Sequence, residues 1–217
     1  MQTNKAVSFP LYLRIPAWCS TAEIKVNGQK LSISTAPGGY VKLTNNWKNG
    51  DKIELQLPME LKVREWTKNK NSVSVNYGPL TFSLKIGENY LSRNSKETAI
   101  GDSRWQEDAD PEKWPSYEIH PTTEWNYGLL LNKDKPGESF SVVRKSWPAD
   151  NNPFTNSGAP IELKAKGKKI ASWTIDQYGL CSVLPQSPVQ TKEMVSDITL
   201  VPMGGARLRI SAFPVVK

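Results

Sequence analysis

Short runs of alternating apolar and polar residues, each ended by a turn-forming pair, constrain the fold of this chain more than any other feature. The clearest run is 51–58, where three apolar side chains alternate with three polar ones before Pro58. Successive side chains of a strand point to opposite faces, so a period of two predicts a half-buried strand. The pair Asn27-Gly28 suits a two-residue type I′ hairpin, because both of its positions need positive φ. The chain is therefore predicted to be antiparallel β structure.

Strand signals recur along the whole chain. They lie near 9–15, 22–26, 30–34, 39–44, 51–57, 60–65, 72–76 and 79–86, and again near 126–131, 139–143, 161–175 and 197–213. Short strands at such intervals are typical of β-sandwiches. The predicted fold is all-β, with two antiparallel, jelly-roll-like β-sandwich domains, 1–87 and 88–217. Within the second domain, 88–160 is predicted to be a long, Trp-rich and largely irregular segment.

Composition excludes several classes of protein. Hydrophobic residues make up 38% of the 217, which is typical of a globular chain and not of a disordered one. No apolar run is long enough to predict a membrane span, and the opening residues lack the apolar region of a secretory signal, so the chain is expected to start at a domain boundary. The net charge of +7 attracts polyanions without specifying them. Nucleic acid is not an expected partner, because the basic residues are dispersed among acidic ones.

The densest group of basic residues lies in the second half of the chain. Four lysines follow an alternating apolar pattern: Lys164, Lys166, Lys168 and Lys169. The glycine between them favours a hairpin whose lysines face water and protect an exposed strand edge.

Several strings of residues resemble one protein family. Leu13-Arg14-Ile15-Pro16-Ala17-Trp18 and Val26-Asn27-Gly28 are similar to the β-sandwich that follows the catalytic barrel in family 127 glycoside hydrolases of the β-L-arabinofuranosidase type. Further matching strings follow in the same order: Tyr40-Val-Lys-Leu, Trp47-Lys-Asn-Gly-Asp51, Tyr77-Gly-Pro-Leu80, Trp125-Asn-Tyr-Gly-Leu129, Asn152-Pro-Phe154, Leu184-Pro-x-Ser-Pro188 and 200–210. This shared order over nearly the whole chain makes the resemblance specific.

The resemblance implies an upstream (α/α)₆ barrel that holds a carboxylate acid/base and a cysteine nucleophile beside zinc. This chain has no helical barrel pattern, and neither Cys19 nor Cys181 lies in the nucleophile context of the family. No catalytic residue, metal ligand or cofactor is therefore predicted. The expected function is a non-catalytic accessory portion that supports the parent enzyme's barrel and lines one side of its substrate cleft. The resemblance also implies export to the periplasm or cell exterior.

The alternative is a carbohydrate-binding module for a plant or microbial polysaccharide that contains arabinose or galactose. Aromatic rings stack on the C–H face of sugars, and five residues in or beside the irregular segment are candidates: Trp105, Trp114, Trp125, Tyr127 and Trp147. Three roles stay open for them, which are to cover the sandwich core, to dock on the barrel, or to bind glycan. A docking face left exposed would also promote self-association. By contrast, Trp18, Trp47 and Trp173 are predicted to fill the core.

Catalysis by the chain itself has little support in the residues. Glycoside hydrolysis needs two carboxylates that flank the scissile bond. The only dense supply consists of acids whose usual role is solvation: Asp108, Asp110, Glu112, Glu118 and Glu124. His120 has no nucleophile elbow nearby and is interpreted as structural or exposed. One histidine and two distant cysteines are a poor zinc set, and the two cysteines leave open one disulfide or, as the favoured hypothesis, two buried thiols.

Overall fold

The computed structural model describes residues 1–99, 108–132 and 134–217. The fold is all-β and sandwich-like, as predicted. Its strands, in chain order, are β1 Val7–Arg14, β2 Glu23–Val26, β3 Gln29–Lys30, β4 Tyr40–Trp47, β5 Ile53–Gln56, β6 Leu61–Trp66, β7 Ser72–Tyr77, β8 Leu80–Leu84, β9 Glu88–Arg93, β10 Ser116–Pro121, β11 Tyr127–Leu129, β12 Phe140–Arg144, β13 Ile161–Lys169 and β14 Val195–Pro202. The described helical elements are one short α-helix, α1 (Ser95–Thr98), and the 3₁₀ turns Pro136–Ser139 and Met203–Gly205.

The described residues form two compact units. The first comprises Met1–Lys62 with Asn76–Leu80, and the second comprises Val63–Val75 with Thr81–Lys217. Compactness alone does not define a sandwich domain, so the boundary expected at residue 87 stays a prediction. No helix in the described ranges is long and apolar enough to cross a membrane.

The first unit is a small two-layer sandwich. One layer pairs β1 with β4 in antiparallel register, from Val7 opposite Trp47 to Arg14 opposite Tyr40. The other layer has the order β3-β2-β5. Alternate side chains of both layers meet in one core: Ile15, Ile24, Val41, Leu43 and Trp47 are buried in it. The indole Nε1 of Trp47 also donates to the Phe9 carbonyl at 3.0 Å, which satisfies its polar atom inside the core.

The hairpin between β2 and β3 has the predicted geometry. Asn27 has φ of 52° and Gly28 has φ of 82°, both in the left-handed region. The side-chain Nδ2 of Asn27 donates to the Asp51 carboxylate at 3.0 Å, and the side-chain oxygen of Asn27 accepts the backbone N–H of Lys52 at 2.9 Å. The turn is therefore held both by its backbone preference and by β5 and the residues before it.

The second unit contains a seven-stranded sheet that extends through β6, β7 and β8. Its order is β11-β13-β14-β8-β7-β6, and β12 also pairs with β13. Two strands pair with the same edge of β13: β12 pairs with the first half of β13, and β11 pairs with the second half. A β-carbon on Gly167 would lie 2.7 Å from the Gly128 carbonyl oxygen, so the close approach of β11 requires a glycine there.

Two parts of the sequence reading need correction. The four lysines of 164–169 lie on one continuous strand, β13, because its pairing with β14 runs through Gly167 from Leu163 to Lys168. The hairpin interpretation was wrong, although Lys164 and Lys166 do face solvent. The predicted strands 161–175 and 197–213 are also shorter, and they end at Lys169 and Pro202.

The segment expected to be irregular contains two strands that the sequence pattern missed. β9 and β10 pair antiparallel, from Ser116 opposite Arg93 to Pro121 opposite Glu88. Most side chains of both strands are exposed, so neither shows the alternation that marks a half-buried strand. An ion pair between Arg93 and Glu118 and an edge-to-face contact of Tyr90 with Tyr117 join them.

Candidate functional site

One concave feature that combines aromatic and polar side chains lies within the second unit. It is a cleft of about 800 Å³. Three short segments form its walls: the end of β10 (118–121), a turn (175–181) and a stretch after β14 (208–210), with Trp125 beside them. We call it the Trp125 cleft.

The turn that forms one wall is fixed by the carboxylate of Asp176. Its Oδ1 accepts the backbone N–H groups of Tyr178 at 2.8 Å and Leu180 at 2.9 Å, and Gly179 takes φ of 77°. An Asp side chain that bonds to its own downstream backbone is a standard way to stabilise a turn. The backbone is thus held while the side chain of Tyr178 is 78% exposed.

Trp125 is positioned by a second tryptophan. It is half-buried and meets the buried Trp173 edge-to-face, with ring centroids 5.1 Å apart and planes at 70°. The Trp173 indole donates in turn to the Ser182 carbonyl at 3.2 Å. This packing fixes the orientation of the Trp125 ring, part of which lines the cleft.

A charged pair and a histidine form the polar wall. Glu118 accepts from Arg93 at 3.0 Å and lies 3.4 Å from the Nε2 atom of His120. The hydrogen bond from Arg93, followed by that from His120, lowers the pKa of the Glu118 carboxyl. A general acid of a glycosidase needs a raised pKa, so Glu118 is unsuited to that role and is instead a fixed hydrogen-bond acceptor.

Arg209 and Cys181 complete the lining. The Arg209 Nε donates to the Ala206 carbonyl at 2.6 Å, which ties the guanidinium to its own loop. Cys181 is an exposed free thiol whose pKa is raised by partial burial, whereas Cys19 is free and fully buried. The hypothesis of two buried thiols was therefore wrong for Cys181.

A second cleft of about 850 Å³ lies elsewhere in the same unit, with Glu88 and Tyr127 in its lining. Glu88 is engaged structurally, because its Oε1 accepts the backbone N–H groups of Arg207 and Leu208 and its Oε2 accepts the Tyr90 hydroxyl. Burial opposes ionisation of Glu88, but these hydrogen bonds outweigh it and lower its pKa. This carboxylate holds the 207–208 segment in place.

Among the described acids, Glu162 on β13 has the most strongly shifted pKa. Its side chain is buried, and its Oε1 accepts from Lys85 at 2.9 Å and Lys145 at 3.0 Å, while Lys164 lies 3.4 Å from Oε2. Burial raises its pKa, but the lysines overcome that effect and bring the pKa to about 2. The three lysines come from different segments, so Glu162 cross-links the sheet.

The predicted aromatic candidates do not converge on one surface. Trp105 lies outside the described residues. Trp114 and Trp147 are 72% and 60% exposed, and among the described lining residues they contribute to neither cleft. Trp125 lines one cleft and Tyr127 the other. Which of them binds sugar or protein stays a prediction.

The remaining predictions for single residues have mixed outcomes. Trp47 and Trp173 are core residues as predicted, but Trp18 is only half-buried. No group of three or more His, Cys, Asp or Glu side chains within the described ranges could hold a metal ion. The described residues therefore do not fit the zinc ion that the family resemblance implies for the barrel.

Sequence reasoning missed Tyr178 and Arg209 as parts of the site. A signal for Tyr178 was present, because Asp176 and Gly179 flank it in a typical turn pattern directly after the strand predicted to end at residue 175. Arg209 gave no comparable signal, since its place in the cleft depends on the path of the chain after β14.

A family model matches the first part of the chain and covers most of the first unit. Residues 1–59 match the family model described as "Beta-L-arabinofuranosidase, GH127 middle domain". The predicted resemblance is confirmed. The GH127 middle-domain match nearly coincides with Met1–Lys62, and the rest of the chain lies outside it.

Solved structures extend the fold likeness to the whole chain. A protein titled "Glycoside hydrolase" shares 22% identity with a TM-score of 0.54, and the match covers 98% of this chain and 29% of that one. A GH127 β-L-arabinofuranosidase from Geobacillus stearothermophilus T6 shares 18% identity with a TM-score of 0.56, covering 100% and 28%. A GH127 β-arabinofuranosidase shares 15% identity with a TM-score of 0.55, covering 98% and 28%.

The chain thus spans less than a third of the length of these solved structures. At such identities the likeness is one of fold. No curated protein matches the chain.

Proposed function

We propose that this chain is the non-catalytic β-sandwich portion of a glycoside hydrolase, which supports a catalytic (α/α)₆ barrel and lines one side of its substrate cleft. One observation carries the proposal. The whole chain matches the fold of one part, less than a third, of a solved GH127 enzyme, and its first 59 residues match the GH127 middle domain. A chain of this kind would have the barrel as its partner.

The site chemistry supports the non-catalytic role. Three carboxylates that line the clefts are committed to other bonds, since Glu118 pairs with Arg93, Asp176 fixes a turn and Glu88 accepts backbone N–H groups. The other two described carboxylates of the clefts, Glu124 and Asp197, form ion pairs with Lys169 and Lys166. A retaining or inverting glycosidase needs one carboxylic acid that is protonated near neutral pH. The pKa values of Glu118 and Glu88 are both shifted downward, away from that requirement.

Hydrolysis assays test this role directly. The purified chain is incubated with p-nitrophenyl α- and β-L-arabinofuranosides and β-D-galactosides, and release of p-nitrophenol is followed over days. We expect no turnover above the uncatalysed rate. Turnover that disappears in Glu118→Gln or Glu124→Gln, but persists in the distant Glu138→Gln control, would contradict the proposal.

A second candidate function is favoured by the Trp125 cleft. The chain would bind an arabinose- or galactose-containing polysaccharide and hold the parent enzyme on it. Ligand pockets typically combine aromatic walls with a few fixed polar groups, and this cleft has Trp125 and Tyr178 beside His120, Glu118 and Arg209. The two functions are compatible, because the same surface can bind glycan next to a barrel.

A further inference from the structure

We propose that the Trp125 cleft binds an uncharged saccharide, with Trp125 and Tyr178 as its aromatic contacts and His120 and Arg209 as donors to sugar hydroxyls. This inference rests on the carbohydrate-binding function proposed above, and it assigns the binding to one site and one chemical class. It also excludes the exposed Trp114 and Trp147 from the binding surface.

The aromatic contacts are suited to a sugar because both are oriented before a ligand arrives. Trp125 is held by its edge-to-face contact with Trp173. Tyr178 lies on a turn whose two backbone N–H groups are fixed by Asp176. Prearranged side chains reduce the conformational entropy that is lost when a ligand binds.

The exposure of Tyr178 needs an explanation that packing does not give. Ile175, Leu180 and Val183 in the same segment are also exposed. An aromatic ring that is open to water beside a cleft gains free energy when a C–H face covers it, because apolar surface on both partners leaves water. A pyranose or furanose ring offers such a face together with hydroxyls that can bond to the polar wall.

The charges of the cleft favour a neutral ligand. Its described acids, Glu118 and Asp176, are satisfied by Arg93 and by backbone N–H groups. Arg209 is the one permanently cationic side chain among the described lining residues, and the negative charge of Glu118 lies in the same lining. A uronate or phosphate would meet no cluster of cations, whereas a hydroxyl can accept from Arg209 and donate to Glu118.

Calorimetric titration of the purified chain tests the proposal. The probes are arabino-oligosaccharides, galacto-oligosaccharides and, as the anionic comparison, oligogalacturonides, all at physiological salt. We expect a neutral oligosaccharide to bind and Tyr178→Ala to weaken that binding about tenfold, which corresponds to loss of one aromatic contact. Tyr178→Phe keeps the ring and should stay within about twofold of the original affinity.

Trp114→Ala is the matched control, because Trp114 is as exposed as Tyr178 and lies outside the lining of the cleft. It should leave the affinity unchanged. If Trp114→Ala or Trp147→Ala abolishes binding while Tyr178→Ala does not, the chain binds glycan at another surface and the assignment to this cleft is wrong. Tighter binding of oligogalacturonides than of neutral sugars would overturn the choice of ligand class.

Cys181 provides an independent readout within the cleft. Cys19 is buried, so Cys181 is the exposed thiol in the native chain, and its maleimide labelling can be followed by mass spectrometry. A bound saccharide should slow labelling at least severalfold, and unchanged labelling at a saturating ligand concentration would contradict binding in this cleft. If a folded chain binds none of the saccharides, the inference and the binding-module function both fail, while the accessory function, which the hydrolysis assay tests, is unaffected.

Discussion

At the scale of single residues, the buried charged side chain in the described part of the chain is Glu162, and it is fully paired. Glu162 lies in the sheet with lysines from three segments around it. A buried carboxylate without such partners would be strongly unfavourable. Lys85 and Lys145 share one of its oxygens, so the attraction of both ammonium groups to Glu162 offsets their mutual repulsion.

This arrangement predicts a pH-dependent stability. The pKa of Glu162 lies at about 2 in the folded chain against an ordinary value of 4.5, so the folded state binds this proton less tightly. Its contribution to the free energy of unfolding is therefore complete above about pH 4.5 and is lost as the pH falls towards 2. Glu162→Gln should destabilise the chain by about 2 kcal/mol at pH 7, and most of that difference should be gone by about pH 3.

Urea unfolding of both proteins between pH 3 and 7 measures this difference. Glu124→Gln serves as the control, because Glu124 is a half-exposed acid paired with Lys169 alone. Its effect should stay below about 1 kcal/mol. An equal loss in the two variants, or a Glu162→Gln effect that does not depend on pH, would show that the lysine cluster does not stabilise the ionised carboxylate.

At the scale of elements, the β2–β3 hairpin depends on backbone conformation. Gly28 has φ of 82° and open space around its α-carbon. A methyl group there would touch no neighbour, but it would strain the backbone in this left-handed conformation. Gly28→Ala should lower the free energy of unfolding by about 1 kcal/mol. Gly204→Ala is the control, because Gly204 also has open space but lacks a positive φ, and it should change stability by less than about 0.5 kcal/mol. Thermal unfolding of both variants measures the difference, and an equal effect would refute the explanation.

The elements that the sequence predicted well are those with one buried face and a turn pair at each end. β4 and β6 lie within three residues of their expected bounds, because alternate positions are buried in β4 and half-buried in the first part of β6. β9 and β10 were missed, since each presents mainly exposed side chains. Their register depends on contacts such as Arg93–Glu118 that form between strands separated by more than twenty residues.

The candidate site was predictable only in part for the same reason. Trp125 and His120 were visible as unusual residues in an irregular stretch, and both line the cleft. Tyr178 and Arg209 reach that cleft from segments that follow later in the chain. Proximity across such distances is a property of the folded sheet, and no local spacing encodes it.

At the scale of the whole molecule, one segment of the second unit, 175–183, carries several exposed apolar side chains. Tyr178, Leu180 and Val183 are all largely exposed. Apolar surface of this kind is typical of interaction sites. We expect the isolated chain to self-associate reversibly, despite a net charge of +7 that opposes it.

Sedimentation velocity over a wide range of concentration tests this expectation. The sedimentation coefficient should rise with concentration, and the double substitution Leu180→Lys with Val183→Lys should return it to that of a monomer. Met194→Lys is the control, because Met194 is equally exposed outside the 175–183 segment. A monomer at every concentration would exclude self-association. If the Met194 variant alone returned the sedimentation coefficient to that of a monomer, the contact would lie outside the 175–183 segment.

In the turn at 176–180, different residues fix the backbone and present a side chain to the cleft. The Asp176 carboxylate and the left-handed Gly179 set the backbone, and neither depends on which side chain stands at position 178. Replacing Tyr178 therefore changes what the cleft offers to a ligand at little cost to folding. In evolution, and equally in a laboratory library, the side chain at this position can change while the scaffold stays the same.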